Sequence, residues 1–209
     1  MAALFVAIEG IDGSGKTTLL EGLTELFARK RIKGLSFKEP GDDNPIGHIF
    51  RQMSKRRGRL PPLTAVFLLA AERHWRSEQI SQWLKEGFIV LADRYYLSGL
   101  VYCKAEGISF EKFSAFHQGI LKPQLYIWLR VPLKIALRRR GEIRDKWEED
   151  ILAQKIVRLY PEACKYIETK ENGEIFPIDA TKNESTVLKE VFSLISRRAD
   201  LENVESALT

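Results

Sequence analysis

Apolar residues fall along this chain in two alternating kinds of run. Residues 3–9 (ALFVAIE) are almost wholly apolar over the length of one strand and stop at Gly10. From Lys16 to about Lys30 a helical pattern follows, carried by Leu19, Leu20, Leu23, Leu26 and Phe27. Short apolar runs return at about 33–38, 88–92 (FIVLA), 125–131 (LYIWLRV) and 174–178. Helix-length stretches separate them, clearest at 64–85 behind Pro61-Pro62 and at 109–120, 132–140, 147–169 and 184–196. Strand alternating with helix predicts an α/β architecture on a parallel sheet. The run 88–92 lacks polar alternation, as expected of a strand covered on both faces. Right-handed crossovers then put every strand-to-helix turn at one sheet edge, where ligands bind. No Pro/Gly/Ser linker divides the 209 residues, so one domain, 1–209, with one or two mobile insertions is expected.

Composition narrows the class. Hydrophobic residues at 44% and charged ones at 29% are those of an ordinary soluble domain and far from a disordered chain. Two cysteines, Cys103 and Cys164, cannot build a disulfide framework, and no CxxC or Cys/His cluster suggests a metal site. Both read as buried thiols, which fits a reducing cytoplasm. No apolar run reaches the ~18 residues of a membrane helix, and the start, MAALFVAIEG, lacks the basic leader of a signal peptide. A cytoplasmic protein without a membrane partner is expected.

Charge changes the picture further. Lys and Arg number 33 against 28 Asp and Glu, a net +5, which points to anionic partners. Much of the surplus sits in two runs. Arg51, Lys55, Arg56, Arg57 and Arg59 have no acid within 51–59; Arg138, Arg139, Arg140, Arg144 and Lys146 face only Glu142 and Asp145. The patterns of RNP motifs, zinc fingers and basic zippers are absent, so nucleic acid is not the expected partner. The surplus is local, gathered in those two runs, with the remainder of the chain near neutral.

The strongest motif is Gly10-Ile11-Asp12-Gly13-Ser14-Gly15-Lys16-Thr17, which matches GxxxxGK[ST] at every fixed position. Its glycines let the backbone wrap so that N–H groups point at phosphate oxygens, and the loop opens into a helix N-terminus whose dipole favours anions. Lys16 supplies charge to the β and γ phosphates, the Thr17 hydroxyl is placed for Mg²⁺, and Thr18 continues the first turn. Residues 10, 12–18 are therefore the expected ATP site. Asp93 and Arg94 follow the apolar strand 88–92: the acid suits Mg²⁺ held through water or a proton taken from the attacking group, the guanidinium a bridge between two phosphates. The segment 138–147, hinged at Gly141, reads as a basic lid whose Arg138, Arg140 and Arg144 neutralise the transferring group. Leu69 and Arg73, at i and i+4, share a helix face and form a candidate floor and hydrogen-bonding edge for a base. Arg51 is the member of its run expected to face a substrate. Trp75, Trp83 and Trp128 are expected in the core, and His48, His74 and His117 show no clear partner in the sequence and are expected to do nothing catalytic. No NKxD motif supports a GTPase switch.

Taken in order, these segments resemble the thymidylate kinase family of P-loop nucleoside monophosphate kinases. EGIDGSGKTT (9–18) is similar to its phosphate loop, KEPGDDNPIG (38–47) to its REPGGTxxG segment, AAERH (70–74) to its base-gripping helix, DRYYLSGLVY (93–102) to its DRY-x-x-S segment. RLYPEA (158–163) resembles the helix after its lid, and IDAT (178–181) the loop near the ATP base. The resemblance implies a P-loop nucleotide kinase fold, a five-stranded parallel sheet flanked by helices, and a homodimer. It implies ATP-dependent, Mg²⁺-assisted phosphorylation of dTMP to dTDP; a related kinase acting on another nucleotide or nucleoside is the alternative, and a basic nucleic-acid-binding protein a distant one. It implies that Asp12 meets the acceptor sugar, Arg73 the thymine, Arg94 with Lys38 or Arg51 the acceptor phosphate, and that Tyr102 disfavours a ribose 2′-hydroxyl. The chain departs from the family pattern at Lys38 for Arg, Leu69 for an aromatic, GDDN (41–44) for GGT, and Gly99, which offers the base no side chain.

Overall fold

A computed structural model describes residues 3–57, 60–141 and 147–201. Five strands, β1 (Leu4–Glu9), β2 (Gly34–Lys38), β3 (Ile89–Asp93), β4 (Leu125–Arg130) and β5 (Ile175–Asp179), form a sheet in the order β2-β3-β1-β4-β5, every pairing parallel. The central strands β1 and β3 are buried at every residue, whereas the edges β2 and β5 are only partly covered. That is why the central runs read as continuous apolar stretches.

Eight helices surround the sheet among the described residues: α1 (Lys16–Arg29), α2 (Pro45–Arg57), α3 (Pro62–Lys85), α4 (Tyr96–Ala105), α5 (Phe110–Phe116), α6 (Leu133–Arg139), α7 (Trp147–Lys170) and α8 (Glu184–Arg198). Helix α1 packs on α8, while α4 packs on α3, α5 and α7. The apolar stripe read from the sequence is the packed face of α1: Leu19, Leu20, Leu23 and Phe27 are all buried.

Two helices are absent from the sequence expectation. Helix α2 begins on Asn44, whose side chain accepts from the Gly47 amide at 2.7 Å while Pro45 occupies the first helical position. Helix α4 has no amphipathic period because all but two of its ten residues are buried, so it carries no stripe to detect. The expected helix 109–120 closes early, at Phe116, and the expected core residue Trp75 is 37% exposed, its ring against the Arg76 guanidinium. Trp83 and Trp128 are half-buried against the core.

Register delivers the chemistry. Ile8 lies opposite Asp93, and Asp93 opposite Lys38. The carboxyl ends of β1, β2 and β3 thus arrive side by side, where a parallel sheet opens its ligand crevice.

Candidate active site

The segment after β1 wraps as the motif requires. Gly10, Gly13 and Gly15 all take positive φ, of 145°, 80° and 95°. A Cβ on Gly13 would lie 2.2 Å from the Ala136 carbonyl oxygen, so the loop sits directly on α6. Helix α1 starts at Gly15 with no side chain capping it, which leaves its first turn to an anion. Lys16 is buried and curls back, donating from Nζ to the Gly10 carbonyl at 3.2 Å and the Ile11 carbonyl at 3.0 Å. Burial, and then the Arg94 charge, lower its pKa to about 8. A cavity of about 590 Å³ opens here, lined by residues 12–18 of the loop and by Lys38, Asp93, Arg94 and Arg139. Asp93 is buried at the end of β3; its Oδ1 has no hydrogen-bond partner, and its Oδ2 lies 3.9 Å from Lys38 Nζ.

Asp12 and Arg94 form the wall between this cavity and a second one of about 640 Å³, and line both. Arg94 has φ 68°, a left-handed backbone that costs a side-chain-bearing residue roughly 1–2 kcal/mol. Its amide donates to the Ile8 carbonyl at 3.0 Å, which ties the turn to β1. Its guanidinium donates to Asp12 Oδ1 at 2.6 Å and to Ser98 Oγ at 3.2 Å, and lies over the Tyr102 ring. Partial burial works to raise the Asp12 pKa; the Arg94 charge and hydrogen bond win and hold it below the usual carboxylate range. Beneath them Glu9 is fully buried, accepting from the Tyr95 and Ser98 amides and from the Ser98 hydroxyl. Desolvation pushes the Glu9 pKa up.

The second cavity is mostly apolar, with Phe50, Leu60 and Ala65 joining Leu69, Tyr102 and Cys103. One cation lies at its floor. Arg73 is 2% exposed and is held by Glu39, which accepts from Nε at 2.9 Å and from Nη2 at 2.7 Å. Nη2 also donates to the Tyr95 carbonyl at 2.8 Å. Loss of one partner from such a buried pair costs about 3–5 kcal/mol. Gly99 is what admits the guanidinium: a Cβ there would lie 2.8 Å from Nη1, 2.9 Å from Nη2 and 2.6 Å from Phe113 Cζ. The loop before α2 is fixed by a second carboxylate, Glu72, whose Oε1 accepts from the Gly41 amide and the Asn44 side chain, each at 2.8 Å.

The candidate residues thus converge unevenly. Residues 12–18, Lys38, Asp93 and Arg94 meet around the first cavity; Gly10 supplies a carbonyl to Lys16; Leu69, Arg73 and Tyr102 line the second. Arg51 lines neither: it donates to the Pro40 carbonyl at 2.8 Å and pairs with Asp42 at 3.2 Å. The two acids of GDDN are neutralised locally, Asp42 by Arg51 and Asp43 by Arg76. Arg138 and Arg140 are exposed and line neither cavity, although Arg140 acts electrostatically on Asp12, while Arg144 lies outside the described residues. Arg139 is the member of that run that lines the first cavity, its guanidinium donating to the Ala180 carbonyl at 2.8 Å. Sequence reasoning missed Glu39, which the EPG segment does mark, and Arg139. It also read His117 as partnerless; His117 is fully buried against Arg73. His48 likewise has partners, Asp42 and Gln52.

A phosphate loop at the carboxyl edge of a parallel sheet ordered 2-3-1-4-5, with a second cavity across one shared wall, defines a P-loop nucleotide kinase. Comparison with known proteins agrees. The sequence model of the family described as thymidylate kinase matches residues 8–191. The probable thymidylate kinase of Pyrobaculum aerophilum is 34% identical, the alignment covering 92% of this chain and 96% of the relative. Probable thymidylate kinase 1 of Saccharolobus solfataricus is 29% identical over the same two shares. The fold is similar to that of thymidylate kinase from Candida albicans, with a TM-score of 0.78, 23% identity and coverage of 94% of this chain and 92% of that one. The chain belongs to the thymidylate kinase family.

Gly99→Ala tests the packing of Arg73. The guanidinium is pinned by its partners and cannot retreat, so the added methyl should lower unfolding free energy by about 1–2 kcal/mol in urea titrations. An unchanged midpoint would show that the pocket has room the geometry denies it.

Proposed function

We propose that this chain transfers the γ-phosphoryl group of ATP to dTMP, giving dTDP and ADP, across the wall formed by Asp12 and Arg94. The chain is a nucleoside monophosphate kinase of the thymidylate kinase family. The observation that carries the site assignment is that two cavities, one on the phosphate loop and one over Arg73, share those two side chains. The donor occupies the first cavity, with its phosphates on the loop amides and Lys16; the acceptor occupies the second, with its base toward Arg73 and Leu69 and its sugar toward Asp12 and Tyr102. The acceptor phosphate lies against Arg94, with Lys38 at the mouth. In-line transfer needs little covalent help, so the protein contributes positioning and charge neutralisation by Lys16, Arg94 and the arginines of the lid at 138–147.

Magnesium fits the residues present. Asp93 presents a buried carboxylate oxygen with no partner and Thr17 an exposed side chain, both on the first cavity. No cluster of three His, Cys, Asp or Glu exists among the described residues, which is compatible with an ion that takes one or two protein oxygens and otherwise water and phosphates. Thr17 and, through water, Asp93 would hold Mg²⁺, which when bound neutralises charge on the β and γ phosphates.

The same reading takes the chain as one domain working as a cytoplasmic homodimer. The exposed apolar side chains Ile49, Leu63 and Phe67 on α2 and α3 support the pairing, and two buried free thiols support the compartment. No helix among the described residues is long and apolar enough to cross a membrane.

ADP release with dTMP, dUMP, TMP, dCMP, AMP and GMP in turn should be fastest with dTMP. Lys16→Ala should cut that rate by at least about 10²-fold, and Arg73→Ala should raise KM for dTMP more than KM for ATP. Near-normal turnover in Lys16→Ala, or equal losses for both substrates in Arg73→Ala, would refute the assignment.

Lys16 also gives a pH signature. Free enzyme loses the Lys16 proton above about pH 8, whereas bound polyphosphate favours the charged form. ATP affinity should therefore be flat below about pH 8 and weaken above it by up to about tenfold per pH unit, with proton uptake on binding. Calorimetry in buffers of different ionisation heat measures the uptake; Lys16→Arg, charged throughout, should flatten the profile. A flat wild-type profile well above pH 8 would contradict this.

A further inference from the structure

His117, which closes α5, is the one buried histidine whose ring meets the acceptor cavity's cation. Its ring stacks on Phe113, with centroids 4.0 Å apart, and meets the edge of Tyr96. Nδ1 lies 2.8 Å from the Phe113 carbonyl oxygen. A carbonyl only accepts, so Nδ1 carries the proton and, in a neutral ring, Nε2 is an acceptor. Nε2 lies 2.9 Å from Arg73 Nη1, which only donates, so both contacts agree on one tautomer. Burial, and then the Arg73 charge, lower the His117 pKa to about 3 and keep the ring neutral at working pH.

A guanidinium has five N–H bonds. In Arg73, Glu39 takes the Nε–H and one Nη2–H, the Tyr95 carbonyl takes the other Nη2–H, and His117 takes one Nη1–H. The second Nη1–H has no partner among the described residues. Nη1 faces Gly99, which lines the acceptor cavity with Arg73. The Tyr95 and Phe113 rings lie 5.3 and 5.5 Å from the guanidinium carbon.

We infer that His117 is a positioning residue for the acceptor nucleobase, holding the Arg73 guanidinium at the roll that leaves one Nη1–H for a keto oxygen of the base. The inference rests on the reading that Arg73 meets that base. A pyrimidine with a keto oxygen at this point satisfies the remaining N–H; a pyrimidine with an amino group there sets donor against donor and is rejected. Without the His117 acceptor, the Nη1 end of the guanidinium keeps only the hold that Glu39 and Tyr95 exert through Nε and Nη2, so its N–H is aimed less firmly at the keto oxygen and the penalty against an amino group shrinks.

The test compares His117→Leu and His117→Gln with wild type in steady-state kinetics with dTMP and dCMP. His117→Leu should raise KM for dTMP about tenfold and reduce the preference for dTMP over dCMP, in kcat/KM, by about tenfold. Its kcat and KM for ATP should stay within about twofold. His117→Gln, whose Oε1 accepts from Arg73, should recover most of both losses. Wild-type KM and preference in His117→Leu, or equal impairment in His117→Gln, would overturn the inference. Should His117→Leu not fold, ¹⁵N spectroscopy of the wild-type enzyme decides: an unprotonated Nε2 whose resonance moves when dTMP binds supports it, and a protonated Nε2 overturns it. If Arg73→Ala raises KM for dTMP while His117→Leu does not, only the role of His117 falls. If Arg73→Ala leaves KM unchanged, the base-reading role of Arg73 falls first.

Discussion

The contact between Arg94 and Asp12 joins the two halves of the site. Asp12 belongs to the loop after β1 and Arg94 to the turn after β3, 82 residues on, and their side chains meet at 2.6 Å. Arg94 reaches that point only because its backbone turns left-handed and its amide bonds to Ile8 on the neighbouring strand. Strand pairing therefore fixes the partition between two cavities. The cation and the anion are thereby held in fixed positions where both cavities meet, a preorganised arrangement of charge of the kind the proposed transfer requires.

Below the partition, buried charges fix what the apolar core leaves free. Glu39 sits between β2 and α2, Arg73 on α3 and His117 at the end of α5, and their contacts lock three segments far apart in sequence onto one guanidinium. Burial raises the Glu39 pKa to about 7, against the lowering influence of Arg73. Glu72, the residue before Arg73 on α3, does similar service, binding the loop that leads into α2 through Gly41 and Asn44. Removing Glu39 or Arg73 would leave its partner as an uncompensated buried charge, so the two hold each other in one arrangement. The second cavity gains a floor of defined donors inside mostly apolar walls.

Much of the fold was legible in the sequence because the central strands are covered on both faces and the helices that pack on them carry apolar stripes. Where that physics fails, so did the reading. Helix α4 is buried all round, and α2 announces itself only through Asn44-Pro45, an N-cap and first-turn proline inside a segment otherwise dominated by charge. The phosphate loop was legible because its chemistry is local, eight residues in a row. The floor of the second cavity was not, because Glu39, Arg73 and His117 meet across separations of 34 and 44 residues and no spacing rule joins them. Gly99 shows the same limit: in the sequence it is a position without a side chain, and in the structure it is the space that the Arg73 guanidinium fills.

Arg94→Lys, measured at saturating ATP and dTMP, asks whether transfer takes place across the Asp12–Arg94 partition. Lysine keeps the charge but loses the fork that spans Asp12 and Ser98. Turnover should fall by at least about 10²-fold while the thermal unfolding midpoint changes little. Wild-type kcat in the variant would show that the phosphoryl group crosses elsewhere.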